Sequence, residues 1–346
     1  MNYYFTLPTG YAGFGDVTEH AYIRAYGIYS LIMGPKKYVH SPFTSGHLSN
    51  KIAKDVHYFF GFDSLPSISS PKFKNYKIIE LDTWRLLRNY PTYSDAYKRL
   101  TKRYGDQNII FTPLRRKGKY RLEYRMMVNA QNITNETNGI LKPHNALDFK
   151  KIFKAGKKFR ERFKIKPVFT STDKIKIGVH IRLGDVSLIE FQKKFWYRLN
   201  STPVLSKDEI EKRYSDTEEI KKLRKKLRNI ITEKGGEKNV EIVVFSDGHI
   251  LPESLKKHLK SMGKSKKDIE ALRDKYDQDM IKIFDEFKNI KFIVGIKYHH
   301  FFQSVWTIMD ADILFKTPSS FLKGVLRFTD KILIEQKQGI LRFIDK

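Results

Sequence analysis

Lys176-Ile177-Gly178-Val179-His180-Ile181-Arg182-Leu183-Gly184-Asp185 is the stretch on which the reading of this chain turns. Residues 175–181 form a near-continuous β-branched run, the pattern of a strand buried on both faces in a parallel sheet. The run ends in a His, an Arg, a Gly and an Asp. In open α/β sheets ligands lie beyond the carboxyl ends of the strands, so these side chains project where a ligand would sit. Arg182 suits a phosphate, because its guanidinium is planar, permanently charged and able to make two parallel hydrogen bonds. Gly184 permits a tight turn with close backbone approach, and Asp185 can orient the arginine or cap the next element.

Working outward, a charged helix is expected over 207–233 and a second buried strand over 240–245, ending in Ser246-Asp247-Gly248. Helix dominates 256–288. Strands follow at 291–296 and 311–315, with an apolar helix at 304–309 between them, a helix from Ser319 and a last strand at 331–335. Toward the amino end, 3–7 is a short β-rich run, 8–16 a Gly-rich turn and 17–33 a helical pattern. Short strands are expected at 38–41, 77–81 and 108–112, and helices near 83–88 and 94–104. Strands that alternate with helices imply parallel sheets joined by right-handed crossovers. A chain of 346 residues and 40.8 kDa exceeds one usual core. The expected organisation is therefore α/β with two domains, 1–165 and 166–346. Between them, 148–163 places Phe149, Ile152, Phe153, Phe159 and Phe163 at helical spacing on an otherwise basic segment, which reads as a bridge between the halves, with 164–174 as linker.

Composition narrows the class. A hydrophobic content of 40%, with 25 Phe and 19 Tyr, excludes a disordered chain. The absence of Cys excludes a disulfide scaffold, a zinc-thiolate site and a catalytic thiol, and fits a reducing compartment. No apolar run reaches the roughly 18 residues of a membrane span, and the start MNYYFTLPTG lacks a signal-peptide pattern, so a soluble, cytoplasmic protein is expected. The sequons at Asn132, Asn135 and Asn200 carry no weight in such a chain. A net charge of +28 attracts nucleic acid, anionic membrane or any polyanionic substrate. The basic residues are spread along mixed-charge helices without an aromatic-basic recognition module, so nucleic acid is not the expected main partner.

The segment GVHIRLGD resembles the HxRxGD-type motif of the fucosyltransferase superfamily, which includes bacterial and animal α-fucosyltransferases and protein O-fucosyltransferases. Three further blocks agree with that family in order. Ala12-Gly13-Phe14-Gly15-Asp16 resembles its Gly-x-Phe-Gly-Asn loop, and Val243-Val244-Phe245-Ser246-Asp247 is similar to its strand ending in Ser-Asp or Asp-Asp. Ala311-Asp312-Ile313-Leu314-Phe315-Lys316-Thr317-Pro318-Ser319-Ser320-Phe321 is similar to its late block, in which a strand leads to a Ser-Ser-Phe at a helix start. The resemblance implies two facing Rossmann-like domains, the GT-B architecture. It implies inverting transfer from a nucleoside-diphosphate sugar, most often GDP-fucose, to a hydroxyl of a glycan, glycolipid or protein, with no metal or other cofactor required.

Carried over by position, the resemblance gives Arg182 the β-phosphate and the charge that develops on the leaving diphosphate. His180 falls beside the nucleotide, and Asp185, Ser246 and Asp247 fall with the donor. Ser319, Ser320 and Phe321 would close over the diphosphate, while Gly13 and Gly15 would let the first domain's loop approach the sugar. Asp16 stands where the family usually has Asn and offers a carboxylate as general base, with Glu19 and His20 the next candidates. Gln303 and Ser304 stand where some members use an Asp to read the guanine edge, which leaves the donor's base and sugar open.

Plainer readings stand beside these. Asp16 and Glu19 fit a helix N-cap with its capping-box partner. Ser319-Ser320 fits a helix cap, and His180 and Asp247 fit polar residues satisfied at strand ends. Asp310-Ala311-Asp312 spells a DxD metal signature, but Asp312 opens an apolar strand inside a matched block. No metal site is expected there. His299-His300 has no carboxylate at ligand spacing and reads as loop. Three functions remain in play: a nucleotide-sugar transferase, of fucose first and of another sugar second; a basic nucleic-acid-binding protein; and a non-catalytic sugar-binding relative.

Overall fold

Parallel strands with helices between them set the architecture, as the alternation in the sequence requires. A computed structural model of the protein describes residues 2–7, 14–42, 50–90, 92–114, 147–163, 168–181, 217–246, 257, 260–282, 284–295, 298–315, 320–337 and 340–345. The fold is mixed α/β with two sheets, and the chain divides into two units, Met1–Lys164 and Ile165–Lys346.

In the first unit β1 (Tyr3–Phe5), β2 (Lys77–Leu81) and β3 (Ile109–Pro113) form a parallel sheet in the order β1-β3-β2. Residues 38–40 extend it past β1 through single parallel bridges, Phe5 to Tyr38 and His40 to Ser67. Alternation sends Phe5 against Tyr26, Tyr29 and Tyr38 on one face and Tyr4 against Phe73 and Tyr76 on the other. One helical run follows β1. It comprises α1 (Phe14–Asp16), a π-helical stretch (Val17–Ala25) and α2 (Tyr26–Met33). The other helices are α3 (Asn50–Phe60), α4 (Thr83–Asn89), α5 (Tyr93–Tyr104), α6 (Phe149–Ala155) and α7 (Lys157–Phe163). Asp82, Thr92 and Asp148 start α4, α5 and α6 by accepting a backbone N–H three residues on, the service an N-cap side chain performs for the helix's unpaired donors.

The basic segment expected to bridge the halves belongs to the first unit. Its apolar side is claimed by α3: Phe149 and Ile152 are buried, and the Arg160 guanidinium donates to the Phe59 carbonyl at 2.7 Å while lying 3.6 Å from the centre of the Phe153 ring. Gly61, at φ 84 after α3, brings the backbones together. A Cβ there would stand 2.1 Å from the Ile152 carbonyl oxygen, so only glycine admits this contact.

The second unit has a six-stranded sheet in the order β6-β5-β4-β7-β9-β8. Its strands are β4 (Ile175–His180), β5 (Val240–Ser246), β6 (Ile290–Val294), β7 (Ile313–Phe315), β8 (Ile332–Lys337) and β9 (Ile340–Ile344). β4 to β7 are mutually parallel. β9 pairs antiparallel with β7, and β8 antiparallel with β9, so the all-parallel expectation fails at this end. The helices are α8 (Thr217–Glu233), α9 (Lys266–Lys282), α10 (Tyr298–Asp310) and α11 (Ser320–Val325). The β-branched runs are buried because both faces are covered. Ile177, Val179, Ile242, Val244, Ile313 and Phe315 pack with Leu227, Ile230 and Ile231 of α8. On the other face Gly178 lets α10 close onto β4: a Cβ there would meet the Leu314 side chain at 2.9 Å and those of Ala311 and Thr307 at 3.4 Å.

The amino ends of these strands are clasped by ion pairs. Asp312 accepts from the Lys176 backbone N–H at 2.9 Å and from the Lys331 ammonium at 2.6 Å, and Lys176 pairs with Asp310 at 3.0 Å. The DxD carboxylates are therefore committed to lysines at the edge remote from the carboxyl ends. Beside them Glu241 gathers the Thr170 and Ser171 backbone N–H groups at 2.9 to 3.0 Å, the Thr170 hydroxyl at 3.1 Å and the Lys291 ammonium at 2.5 Å. This ties the chain entering the unit to β5 and β6.

Candidate functional site

The order β6-β5-β4-β7 fixes where a ligand would lie. The chain steps outward from β4 to β5 to β6, then returns to add β7 on the other side of β4, so the direction of winding reverses between β4 and β7. A crevice at the carboxyl ends of such a pair is where open α/β sheets hold ligands. Three of the sequence blocks leave the sheet at this edge. β4 ends at His180 opposite Phe245, and the Ile181 N–H donates to the Phe245 carbonyl at 3.0 Å. β5 ends at Ser246, whose carbonyl accepts from Gly295 at 3.1 Å. β7 ends at Phe315, beside Val179.

Of the donor-side residues, His180 is buried with its ring 5.2 Å from that of Phe245, and Ser246 is buried next to it. Phe321, in α11, is half-buried and its ring lies 5.6 Å from Phe301 in α10, which anchors the Ser-Ser-Phe block to the helix that covers β4. Ser320 is the first residue of α11. Arg182, Gly184, Asp185, Asp247 and Ser319 lie outside the described residues. His299 and His300, read as loop, stand in the first turn of α10, and Gln303 and Ser304 follow on the same helix.

In the first unit residues 14–16, read with 8–13 as a Gly-rich turn, are helical, and 8–13, Gly13 among them, lie outside the described residues. Gly15 is buried within α1, and Phe14 stacks on Phe60 with centroids 4.5 Å apart. The described residues are helical from Phe14 through Asp16, so Asp16 lies within the helix and does not hold the N-cap position the capping-box reading gave it.

Beneath this run lies a polar cluster that sequence reasoning missed. His40 is fully buried, with its Nδ1 2.8 Å from the Tyr38 hydroxyl. Its ring stacks on Phe62 at 5.0 Å and His57 at 5.1 Å, and Tyr22 of the π-helical stretch lies 5.9 Å away. Neither His40 Nε2 nor His57 Nδ1 has a hydrogen-bond partner among the described residues. The signal was the alternation of Tyr38 and His40 in a short strand, which puts both on the core face. Burial, then the neighbouring His57, lowers the His40 pKa from 6.5 to about 3, and burial lowers His57 as well.

Folded His40 stays neutral while the unfolded chain takes a proton below pH 6.5. Its contribution is whole above that pH and drains by about 1.4 kcal/mol per unit down toward pH 3. By pH 5 about 2 kcal/mol is lost from this residue alone. Urea unfolding at pH 7 and pH 5 should show that drop, and His40→Gln should shrink it. An unchanged drop in the variant would show that His40 is not its source.

Among the described residues no group of three His, Asp or Glu side chains stands close enough to hold a metal ion, and no helix is long and apolar enough to cross a membrane. The chain matches no protein-family model and no curated protein.

Proposed function

We propose that this chain is an inverting glycosyltransferase of GT-B architecture with two Rossmann-like domains, whose second unit holds a nucleoside-diphosphate sugar, GDP-fucose first among the candidates. The observation that carries the reading is the convergence of three blocks. The segments beginning at His180, Ser246 and Phe315 leave neighbouring parallel strands at one edge, across the point where the winding reverses. Arg182 follows that edge by two residues and is assigned the β-phosphate, where a guanidinium matches two phosphate oxygens and neutralises the leaving group. Ser319 and Ser320 are assigned hydroxyl and backbone contacts to the same diphosphate. Gly13 and Gly15 are assigned the close approach of the first unit's backbone to the donor sugar, and Asp16 is assigned as the base that takes the acceptor's hydroxyl proton. The attacking oxygen displaces the diphosphate from the anomeric carbon in one step, so the sugar's configuration inverts. Charge supports the assignment too, since a protein of +28 draws in an anionic donor.

A thermal-shift panel of GDP, UDP, ADP and CDP tests this. One diphosphate, GDP by expectation, should raise Tm by several degrees, since saturation at about 100 times Kd adds about 2.7 kcal/mol to the folded state. Arg182→Ala should abolish the rise. If no diphosphate stabilises the chain, or the variant responds as the parent does, the assignment is wrong.

A further inference from the structure

The outward side of α6 and α7 carries the densest one-signed charge in the first unit's described helices. Lys150, Lys151, Lys154, Lys157, Lys158 and Arg162 are all exposed, and Glu161 is the only acid within 149–163. Hydrogen bonds run through the junction, from Gly156 N–H to the Phe153 carbonyl and from Arg160 N–H to the Gly156 carbonyl, so the two helices act as one ridge. At 100° per residue the six cations fall within an arc of about 140°, spread over about 18 Å of axis. Phe149, Ile152, Gly156 and Arg160 are buried on the opposite side. Lys51 and Lys54 are exposed on the adjoining α3 and add to the same field.

Glu161 falls inside the same arc and pairs with Lys157 at 3.8 Å, which leaves a net excess of five cations on the ridge; these repel one another, and an apposed anionic surface relieves that repulsion. Five of the six are lysines, compact point charges on long stems that suit a plane of phosphate headgroups better than the two-pronged recognition of base edges. The aromatic rings beside the ridge are engaged within the fold. Phe153 lies under Arg160, and Phe159 stacks on Tyr58 at 5.4 Å, so neither ring face is presented to a nucleic-acid base. Among the described residues of the ridge the exposed apolar side chain is Ala155, too small to anchor in a bilayer, so contact there is electrostatic and peripheral.

We propose that the α6–α7 ridge docks the protein on an anionic bilayer surface. The surface would gather the chain at the membrane without any segment entering it. This stands independently of the transferase reading.

The test is sedimentation of the full chain with neutral phosphatidylcholine vesicles and with vesicles containing about 30% phosphatidylglycerol, because each cation at such a surface is worth about a fivefold change in binding. Binding is expected only to the anionic vesicles and should fall steeply with added salt. The triple variant Lys151→Glu, Lys154→Glu, Lys158→Glu should bind at least about 100-fold more weakly, three cations at about fivefold each. Lys222→Glu, Lys225→Glu, Lys238→Glu removes the same charge from exposed positions of the second unit and should lose far less. Equal losses in the two variants would mean that net charge alone binds, and the ridge would be excluded. Vesicle binding that survives in the first variant while binding to a DNA or RNA duplex is lost would assign the ridge to nucleic acid. Should the first variant misfold by circular dichroism, the matching Lys→Gln triple carries the same test.

Discussion

Glu241→Gln should cost the protein about 2 kcal/mol, because it removes the buried carboxylate that accepts from Thr170, Ser171 and the half-exposed Lys291 ammonium and presents an NH2 group where backbone donors now point. In the parent, burial pushes the Glu241 carboxyl up, but the bonds from Lys291, Ser171 and Thr170 overrule it and hold the pKa at about 2. Folded and unfolded values straddle a window from about 4.5 down to 2. The stabilisation is whole above that window and is lost as pH falls through it. Urea midpoints of parent and variant should therefore differ most at pH 7 and converge toward pH 3. This window lies below most of the His40 one, so the two variants separate by pH: His40→Gln alters the slope between pH 6.5 and 4.5, Glu241→Gln alters it below. A Glu241→Gln protein as stable as the parent at pH 7 would show that the clasp contributes nothing.

Arg182→Ala should lower the turnover of donor, by transfer or by hydrolysis, on the order of 100- to 1000-fold at saturating donor, the usual effect of removing one preorganised group from a developing charge. Arg182→Lys keeps the charge but not the paired geometry and should fall between. If the guanidinium served ground-state binding alone, KM would rise and kcat would hold. Asp16→Asn should reduce transfer to an acceptor more than hydrolysis, since an activated acceptor hydroxyl is needed only for the former. An Arg182→Ala enzyme that keeps more than about a tenth of the parent rate would remove the arginine from the mechanism.

Residues whose partners are near in sequence were legible, and those whose partners are distant were not. β4 and β5 could be read because β-branched runs need burial on two faces, a demand written in the run itself. β9 was missed although Leu341 and Phe343 alternate with Arg342, since a last strand was expected to continue the parallel pattern. α3 was missed too, although Ile52, Ala53, Val56, Phe59 and Phe60 mark one helix face. Glu241 was passed over inside an apolar strand. Its partners Thr170 and Lys291 come from two other elements, and only the fold brings them together. At the candidate site the sequence supplied the order of the blocks, while the sheet order supplied their adjacency. Neither property could be derived from the other.

The ion-pair clasps at Asp312 and Glu241 sit at the edge of the second sheet opposite the one where the candidate blocks emerge. The cross-strand ion pairs are gathered at one rim, and the proposed donor site lies at the other. Substitutions in the segments that follow His180, Ser246 and Phe315 can accumulate without loosening the clasps, so under the proposed function selection could retune the donor preference while the melting behaviour stays nearly constant. Gln303 and Ser304 lie instead on α10, which its packing against Gly178 holds in place whatever follows the strands.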